Sequence, residues 1–437
     1  MSDSELTVFA FCDLGSIVRA RAVPRDELEQ QARVGVGWVP SAHARPPFGP
    51  SAQPNPFGAV GDLRLRPDIA TRATVAAADG ASALDLVLCD MVELDGRPWS
   101  CCPRTFLRDA LDELDELLGA RLLSSFEHEF QLLSSTSAAP PMSLEALRAV
   151  DPFPMRLVGA LSEAGVAPER FVSERSPHQF EVPVAAADGV ASADRSVILR
   201  EVVREIARRH GTRATFTPQL HPSEQGNGLH IHLSLLDRGG RPLFHDPSRP
   251  ANLSELGGRF AAGILKHAAA LTALTAPSPV SWLRLQPGRR GAGAVCLGLR
   301  NREALLRIPP SVTFAGADAG AQLRLEYRAA DAAANPYLAL GALVHAGMRG
   351  IREQLPVPPL LERDPATLSK EDAARFGVGL LPGSLTESLQ ALAQDTVVAT
   401  WLPTPLRELY TSVKQAEMEA AQDLALEAAC AMYATVY

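Results

Sequence analysis

The chain has 437 residues, 46% hydrophobic and 21% charged, which supplies a sizeable core and lacks the polar bias of a disordered chain. That length exceeds what one hydrophobic core serves, so two domains are expected, one small and one large. A formal net charge of -8 argues against a general binder of nucleic acid or anionic membrane, whose phosphates attract a surplus of Lys and Arg.

The N-terminal stretch has no basic segment followed by an apolar run and a cleavage site, and no run of about 18 apolar residues occurs anywhere, so a cytoplasmic location is expected. Residues 6–24 read as a hairpin, LTVFAFCDL turning at Gly15 into IVRARAVP. From Pro40 to Pro67 the abundance of Pro, Gly, Ala and Asn predicts a long loop, and loops of that length are often functional. Residues 84–93 read as a strand closed by the turn DGRP. From Pro103 the leucines of TFLRDALDELDELLGA fall at helical spacing, with Gly119 near the stop. A boundary at residue 102 follows, dividing a domain of residues 1–102 from one of residues 103–437. Beyond it, strands over 122–133, 180–184, 213–219, 229–236 and 322–328 alternate with helices over 143–150, 155–165, 192–210, 252–274, 335–354 and 383–398. Residues 405–435 read as one long amphipathic helix. Six scattered cysteines without CxxC pairs predict neither zinc module nor disulfide framework.

Four of the later strands place polar residues two apart on one face and apolar neighbours on the other. Glu127 and Glu129 stand opposite Phe126, His128 and Phe130; Gln179 and Glu181 form a second such pair. His230, His232 and Ser234 oppose Leu229, Ile231 and Leu233, and Arg324, Glu326 and Arg328 oppose Leu325 and Tyr327. A lone strand of this kind is ordinarily a solvated face. Several strands projecting glutamates and one or two imidazoles into one space suit Mg²⁺ or Mn²⁺, which favour oxygen ligands. Arg284, Arg289, Arg290, Arg300, Arg302 and Arg307 lie together in a Gly-rich segment. Arginines beside a metal-binding carboxylate cluster point to phosphoryl transfer, because guanidinium groups hold phosphoryl oxygens that metals bridge.

These residues resemble the glutamine synthetase superfamily over nearly the whole chain. DLGSIVRARAVP and GDLRLRPDIAT resemble its small N-terminal β-grasp domain, and CDMVELDGRPWSCCPRTFLRDAL its domain junction. FEHEF, SERSPHQFEV, NGLHIHLSL, RLQPG with RNREALLRIP, and RLEYRAADAAANPYLAL resemble its catalytic motifs, in family order. The resemblance implies an α+β fold: the β-grasp domain, then a large catalytic domain with an antiparallel sheet and surrounding helices. It implies one metal held by Glu129, Glu174 and Glu181, and a second by Glu127, His230 and Glu326. His232, Ser234 and Arg307 would lie beside ATP, and Gly226 would line the acid-substrate pocket. Arg284, Arg302 and Arg328 look like the family's substrate- and phosphate-binding arginines.

The implied activity is ATP-dependent joining of a carboxylate, glutamate or a related acid, to an amine through an acyl phosphate, with Mg²⁺ or Mn²⁺. Ammonia-using members carry an acid six residues beyond the arginine of RLxPG; here that residue is Arg290. A second carboxylate, expected from a neighbouring subunit's N-terminal loop, aligns near Phe48, where no acid occurs. His178 replaces the usual glycine before Gln179. The pattern is closest to the glutamate–amine (gamma-glutamylpolyamine synthetase-like) ligases, which predicts a gamma-glutamyl amide from glutamate and an organic amine. Arg289 and Arg290 disfavour a polycation, leaving a monoamine, an aromatic amine or an amine bearing its own carboxylate. An ammonia-dependent glutamine synthetase and a non-catalytic relative are the alternatives. The resemblance also implies a homododecamer of two hexameric rings, with active sites between subunits.

Overall fold

Alternating side chains build β1 (Leu6–Cys12), which returns antiparallel as β2 (Val18–Pro24). Asp13 fixes the turn between them: its Oδ1 accepts from the Gly15 and Ile17 amides, and its Oδ2 accepts from Arg19 Nε at 2.7 Å. The computed structural model describes residues 5–78, 80–133, 139–286, 289 and 291–437. With β3 (Val36–Trp38), β4 (Leu63–Pro67), β5 (Ala73–Val75) and β6 (Leu84–Val92), the hairpin forms a sheet ordered β2-β1-β6-β4-β3, with β5 also on β6. β1 and β6 run parallel and the other pairs antiparallel.

A helix over Pro103–Leu118 leads out of this sheet. Proline at its first turn needs no amide partner, and Gly119, at φ 60°, takes the left-handed cap and donates its amide to Asp115 O. A second sheet then forms from β7 (Ala120–Leu132), β8 (Val172–Ser173), β9 (Gln179–Val182), β10 (Ala187–Asp188), β11 (Ala214–Thr215), β12 (Leu229–Asp237), β13 (Ala294–Leu299), β14 (Ala304–Ile308), β15 (Leu325–Ala330), β16 (Leu360–Leu361) and β17 (Gly379–Leu380). Its order is β16-β13-β14-β15-β12-β7-β9-β8, with β10 and β11 on β7 and β17 on β13. Phe126, His128 and Phe130 face a core covered by the Gly189–Arg209 helix, where His128 Nε2 lies 2.7 Å from Ser196 Oγ. The period of two therefore sends Glu127 and Glu129 to the opposite face.

The fold is the expected α+β arrangement of a small sheet and a large, mainly antiparallel sheet with helices around it. Several element boundaries differ. β4 lies inside the expected loop of residues 40–67, because Leu63 and Leu65 point into the core while Arg64 and Arg66 point away. The expected strand over 213–219 pairs only at Ala214–Thr215. β13 and β14 were not anticipated; they run parallel within the arginine-rich segment. The expected helix over 252–274 breaks at His267 into Glu255–Lys266 and Ala268–Thr275. That over 383–398 ends at Gln394, where Asp395 Oδ1 accepts from the Val397 and Val398 amides. The long C-terminal helix is two, Thr404–Ala421 and Leu426–Ala434, packed on their own chain through Leu406, Leu409, Val413 and Tyr433. All six cysteines are free and buried. Among the described residues no helix is long and apolar enough to cross a membrane.

Candidate active site

Strand register brings the polar face together. Across β7 and β9 Glu129 stands opposite Glu181, across β7 and β12 Glu127 stands opposite His230, and across β14 and β15 Arg307 stands opposite Glu326. Like charges directly opposite weaken a sheet, so the Glu129–Glu181 pair is a cost that folding alone does not explain. His230 Nδ1 lies 3.5 Å from Glu127 Oε2 and 3.8 Å from Glu326 Oε1. Glu326 is 2% exposed and accepts from Arg307 Nη1 at 2.7 Å and from Arg328 Nη1. Glu174 enters from the loop before β9, its amide bonded to Gln179 O, and lines the same cavity of about 200 Å³ as Glu129 and Glu181.

The electrostatics divide the carboxylates into two kinds. Burial, then the neighbouring Glu129, pushes the Glu174 carboxyl up to about 7. Burial, then Glu127 and Glu129, pushes Glu181 up to about 9. Burial also opposes ionisation of Glu326, but His230, Arg328, His232 and Arg307 outweigh it and hold the carboxyl down at about 2. Glu127 is likewise held well below the usual range, against burial, by His232 and His230. Glutamates that repel one another in a desolvated cavity are relieved by a cation of charge two. Groups able to hold one include Glu127, Glu181 and His230, whose donor atoms all lie within 4.8 Å of one another. Oxygens with one imidazole suit Mg²⁺ or Mn²⁺.

Glu127, His232 and Glu326 form a second such group, but the chemistry of His232 differs. Arg324 Nε donates to His232 Nδ1 at 3.1 Å, so the neutral ring carries its proton on Nε2, 3.1 Å from Glu127 Oε1. That nitrogen offers a donor, not a lone pair. His232 and Ser234 line a neighbouring cavity of about 340 Å³, and Glu127 lies at its boundary with the first.

The arginines are placed by different means. Arg284 is 4% exposed; its Nη2 donates to Ala329 O and Ala330 O at 2.7 and 2.8 Å. A Cβ on Gly228 would meet Arg284 Nη1 at 3.3 Å and Glu129 Oε2 at 3.6 Å, so the cation and the acid converge beside that glycine. Arg328 Nε donates to Arg302 O at 3.1 Å, and Arg302 itself reaches the cavity exposed. Gly226 lines the cavity too, and a Cβ there would lie 2.0 Å from Pro218 O. Gln179 Nε2 donates to Gly226 O and Asn227 Oδ1, both at 3.0 Å, tying that loop to β9.

Not every residue read from the sequence gathers here. Arg300 is exposed, 3.5 Å from Glu362, and lines neither cavity. Arg289 lines the first cavity and donates to Glu224 O and Pro222 O, whereas Arg290 lies outside the described residues. Phe48 packs edge-on against Tyr433 of its own chain, ring centroids 4.9 Å apart. His178 takes a positive φ of 54° in a small side pocket next to the cavity. Met142 and Arg175 line the first cavity and were not singled out from sequence. Adjacency to Glu174 was the only signal for Arg175, and Met142 carried none.

Two family descriptions match the chain: glutamine synthetase, catalytic domain, over residues 100–433, and glutamine synthetase N-terminal domain, over residues 1–99. The chain is 34% identical to the gamma-glutamylpolyamine synthetase GlnA3 of Streptomyces coelicolor, across 98% of this chain and 93% of that protein. It is 31% identical to a glutamine synthetase of Methanocaldococcus jannaschii, across 82% of this chain and 80% of that one. Among solved structures, a novel glutamine synthase homolog superposes with a TM-score of 0.92 at 41% identity, covering 100% of this chain and 99% of that chain. An ADP complex of GmaS superposes with a TM-score of 0.82 at 28% identity, covering 97% and 95%.

Proposed function

Because this chain belongs to the glutamine synthetase family of ATP-dependent ligases, we propose that it joins glutamate to an organic amine through gamma-glutamyl phosphate, releasing ADP and inorganic phosphate. The observation that carries this reading is the convergence of Glu129, Glu174 and Glu181 with Arg284, Arg302 and Arg328 in one cavity, against the Glu127–His230–Glu326 cluster. A carboxylate does not react with an amine, because its leaving group would be oxide. In the first step a gamma-carboxylate oxygen bonds to the terminal phosphorus of ATP, and the bond to ADP breaks. In the second, the amine's free pair bonds to the acyl carbon, the carbon–oxygen bond to phosphate breaks, and the nitrogen loses a proton.

The residues divide that work. Glu129, Glu174 and Glu181 would hold one divalent cation on the acid side, and Glu127, His230 and Glu326 a second toward the nucleotide. Bound there, the two cations supply positive charge against the charge that builds on the transferred phosphoryl group. Arg284, anchored by two backbone carbonyls, presents its remaining donors to the acid substrate with little reorganisation. Arg302 and Arg328 bind the substrate carboxylate and the phosphoryl oxygens. His232, Ser234 and Arg307 stand on the nucleotide side, Gly226 leaves room for the acid substrate, and exclusion of water from the cavity during the reaction would protect the acyl phosphate.

An organic amine is favoured over ammonia because nothing at Phe48 supplies a carboxylate to attract ammonium; the loop is occupied with Tyr433 of its own chain. Family relatives that are glutamine synthetases support a second reading, in which ammonia is the nitrogen donor. ADP release from purified enzyme with glutamate, Mg²⁺ and a panel of amines separates them: turnover with amines and little with ammonia is expected, and efficient turnover with ammonia alone overturns the first reading. Two stacked hexameric rings are proposed as the assembly, to be checked by light scattering. Domains of residues 1–102 and 103–437 are proposed as the units that build each ring.

A further inference from the structure

Five arginines line the acid-side cavity, and four of them have duties. Arg284 is anchored on Ala329 O and Ala330 O, Arg289 on Glu224 O and Pro222 O, Arg328 on Glu326 and Arg302 O, and Arg302 is assigned to the acid substrate and phosphoryl group. Arg175 is the fifth. It sits directly after Glu174, is exposed, and among the described residues none of its guanidinium donors makes a hydrogen bond or an ion pair within 4.0 Å. It lines the same cavity as Glu129, Glu174 and Glu181, and so does Arg302, which is also exposed. Arg302 and Arg175 thus both bring guanidinium donors to the cavity that Glu174 lines, and only the first is assigned to the acid substrate.

The apolar content of the same wall narrows the choice of amine. Met142, 58% exposed, is the one apolar side chain among the described residues lining this cavity. An aromatic or long alkyl amine finds little surface to bury there, and hydrophobic selectivity scales with the area removed from water. A diamine or polyamine would bring its second ammonium toward Arg175 and Arg289, which costs affinity. A planar fork with free donors instead matches a carboxylate in bidentate geometry.

Building on the ligase reading above, we propose that Arg175 is a specificity-determining residue that selects a nitrogen substrate bearing its own carboxylate, that is, an amino acid. The amine attacks the acyl carbon beside Glu174 while its carboxylate is held by the Arg175 guanidinium. The product is then a gamma-glutamyl amino acid, and the wall next to Glu174 discriminates by charge.

The test is steady-state ADP release from the full chain with ATP, Mg²⁺ and glutamate, comparing β-alanine with size-matched, uncharged propylamine and with the cationic 1,3-diaminopropane. Wild-type enzyme should give a higher kcat/KM for β-alanine than for either competitor. In Arg175→Gln the ratio of β-alanine to propylamine should fall about tenfold, the worth of one lost charge-assisted hydrogen bond, and Arg175→Lys should restore part of it. Arg175→Glu should move the preference toward the diamine. A wild-type ratio below one, a ratio unmoved by Arg175→Gln, or a rise confined to the KM for glutamate overturns the proposal and leaves the ligase reading standing. Absence of ADP release with every amine, or turnover with ammonia alone, overturns both.

Discussion

At the scale of single residues, the site is a problem of charge in a desolvated space. Glu326 serves two arginines and one imidazole at once, so its charge cannot be removed quietly. Glu129→Ala and Glu326→Gln should each abolish ADP release while far-UV circular dichroism stays native; full activity in either variant would reject the cation assignment. A readout free of turnover accompanies this. Mn²⁺ at a hundred times its dissociation constant should stabilise the wild-type fold by about 2.7 kcal/mol, seen as a rise in Tm, and Glu326→Gln should lose most of that rise. His43 gives the pH dependence of stability. It is 1% exposed, wedged between Phe11 and Trp99 with centroids 5.8 and 5.2 Å away, and burial lowers its pKa from 6.5 to about 3. A histidine with a depressed folded pKa contributes stability that is fully present above 6.5 and is lost as pH falls toward 3. At pH 5 the loss is about 2 kcal/mol. Urea unfolding at pH 7 and pH 5 should therefore show a smaller drop in midpoint for His43→Leu than for the unaltered chain.

At the scale of elements, the helices behind the large sheet approach too closely for side chains. A Cβ on Gly263 would lie 1.9 Å from Ala346 O, and one on Gly350 would lie 2.0 Å from Arg259 O, so helices Glu255–Lys266 and Pro336–Arg352 touch backbone to backbone. Gly263→Ala should force them apart and destabilise the protein by about 1–3 kcal/mol, measured as a lower urea midpoint. The approach was not visible in sequence, where glycine in a helix reads only as a weak helix former. The polar faces of β7, β9, β12 and β15 were visible, because a period of two in FEHEF or HLSL survives without knowledge of partners. β13 and β14 were not, since AVCLGL and ALLRI are short apolar runs without alternation inside a Gly- and Arg-containing segment, and parallel pairing depends on what lies beside them.

At the scale of the whole molecule, a buried ionic network joins the small sheet to helices packed around the large one. Arg104, 5% exposed, holds Asp90 at the end of the small sheet at 2.9 Å and Asp194 on the Gly189–Arg209 helix at 2.8 Å, and Tyr337 Oη donates to Asp194 at 2.7 Å. Removing one partner leaves uncompensated charge in a dry place, which costs about 3–5 kcal/mol. Arg104→Ala should lower stability by that amount, and a thermal scan should show the small sheet melting ahead of the large one. A single transition with unchanged midpoint would show that the network carries no coupling. Arg200 makes a second tie: its Nη1 donates to Ser16 Oγ in the hairpin turn and to Ala332 O just after β15, both at 2.8 Å.

Sequence alone determined the fold class, the family and the residue types of the site, because alternation and motif order are local properties that the chain carries without folding. It could not decide which carboxylates end up sharing a cavity with raised pKa, which imidazole offers a proton in place of a lone pair, or that Phe48 faces its own Tyr433. Nor could it show that Arg175 stands unengaged at the cavity wall. Those depend on strand register and on loops meeting across hundreds of residues, and burial, mutual repulsion and hydrogen-bond competition arise only when such groups are brought within a few ångströms of one another.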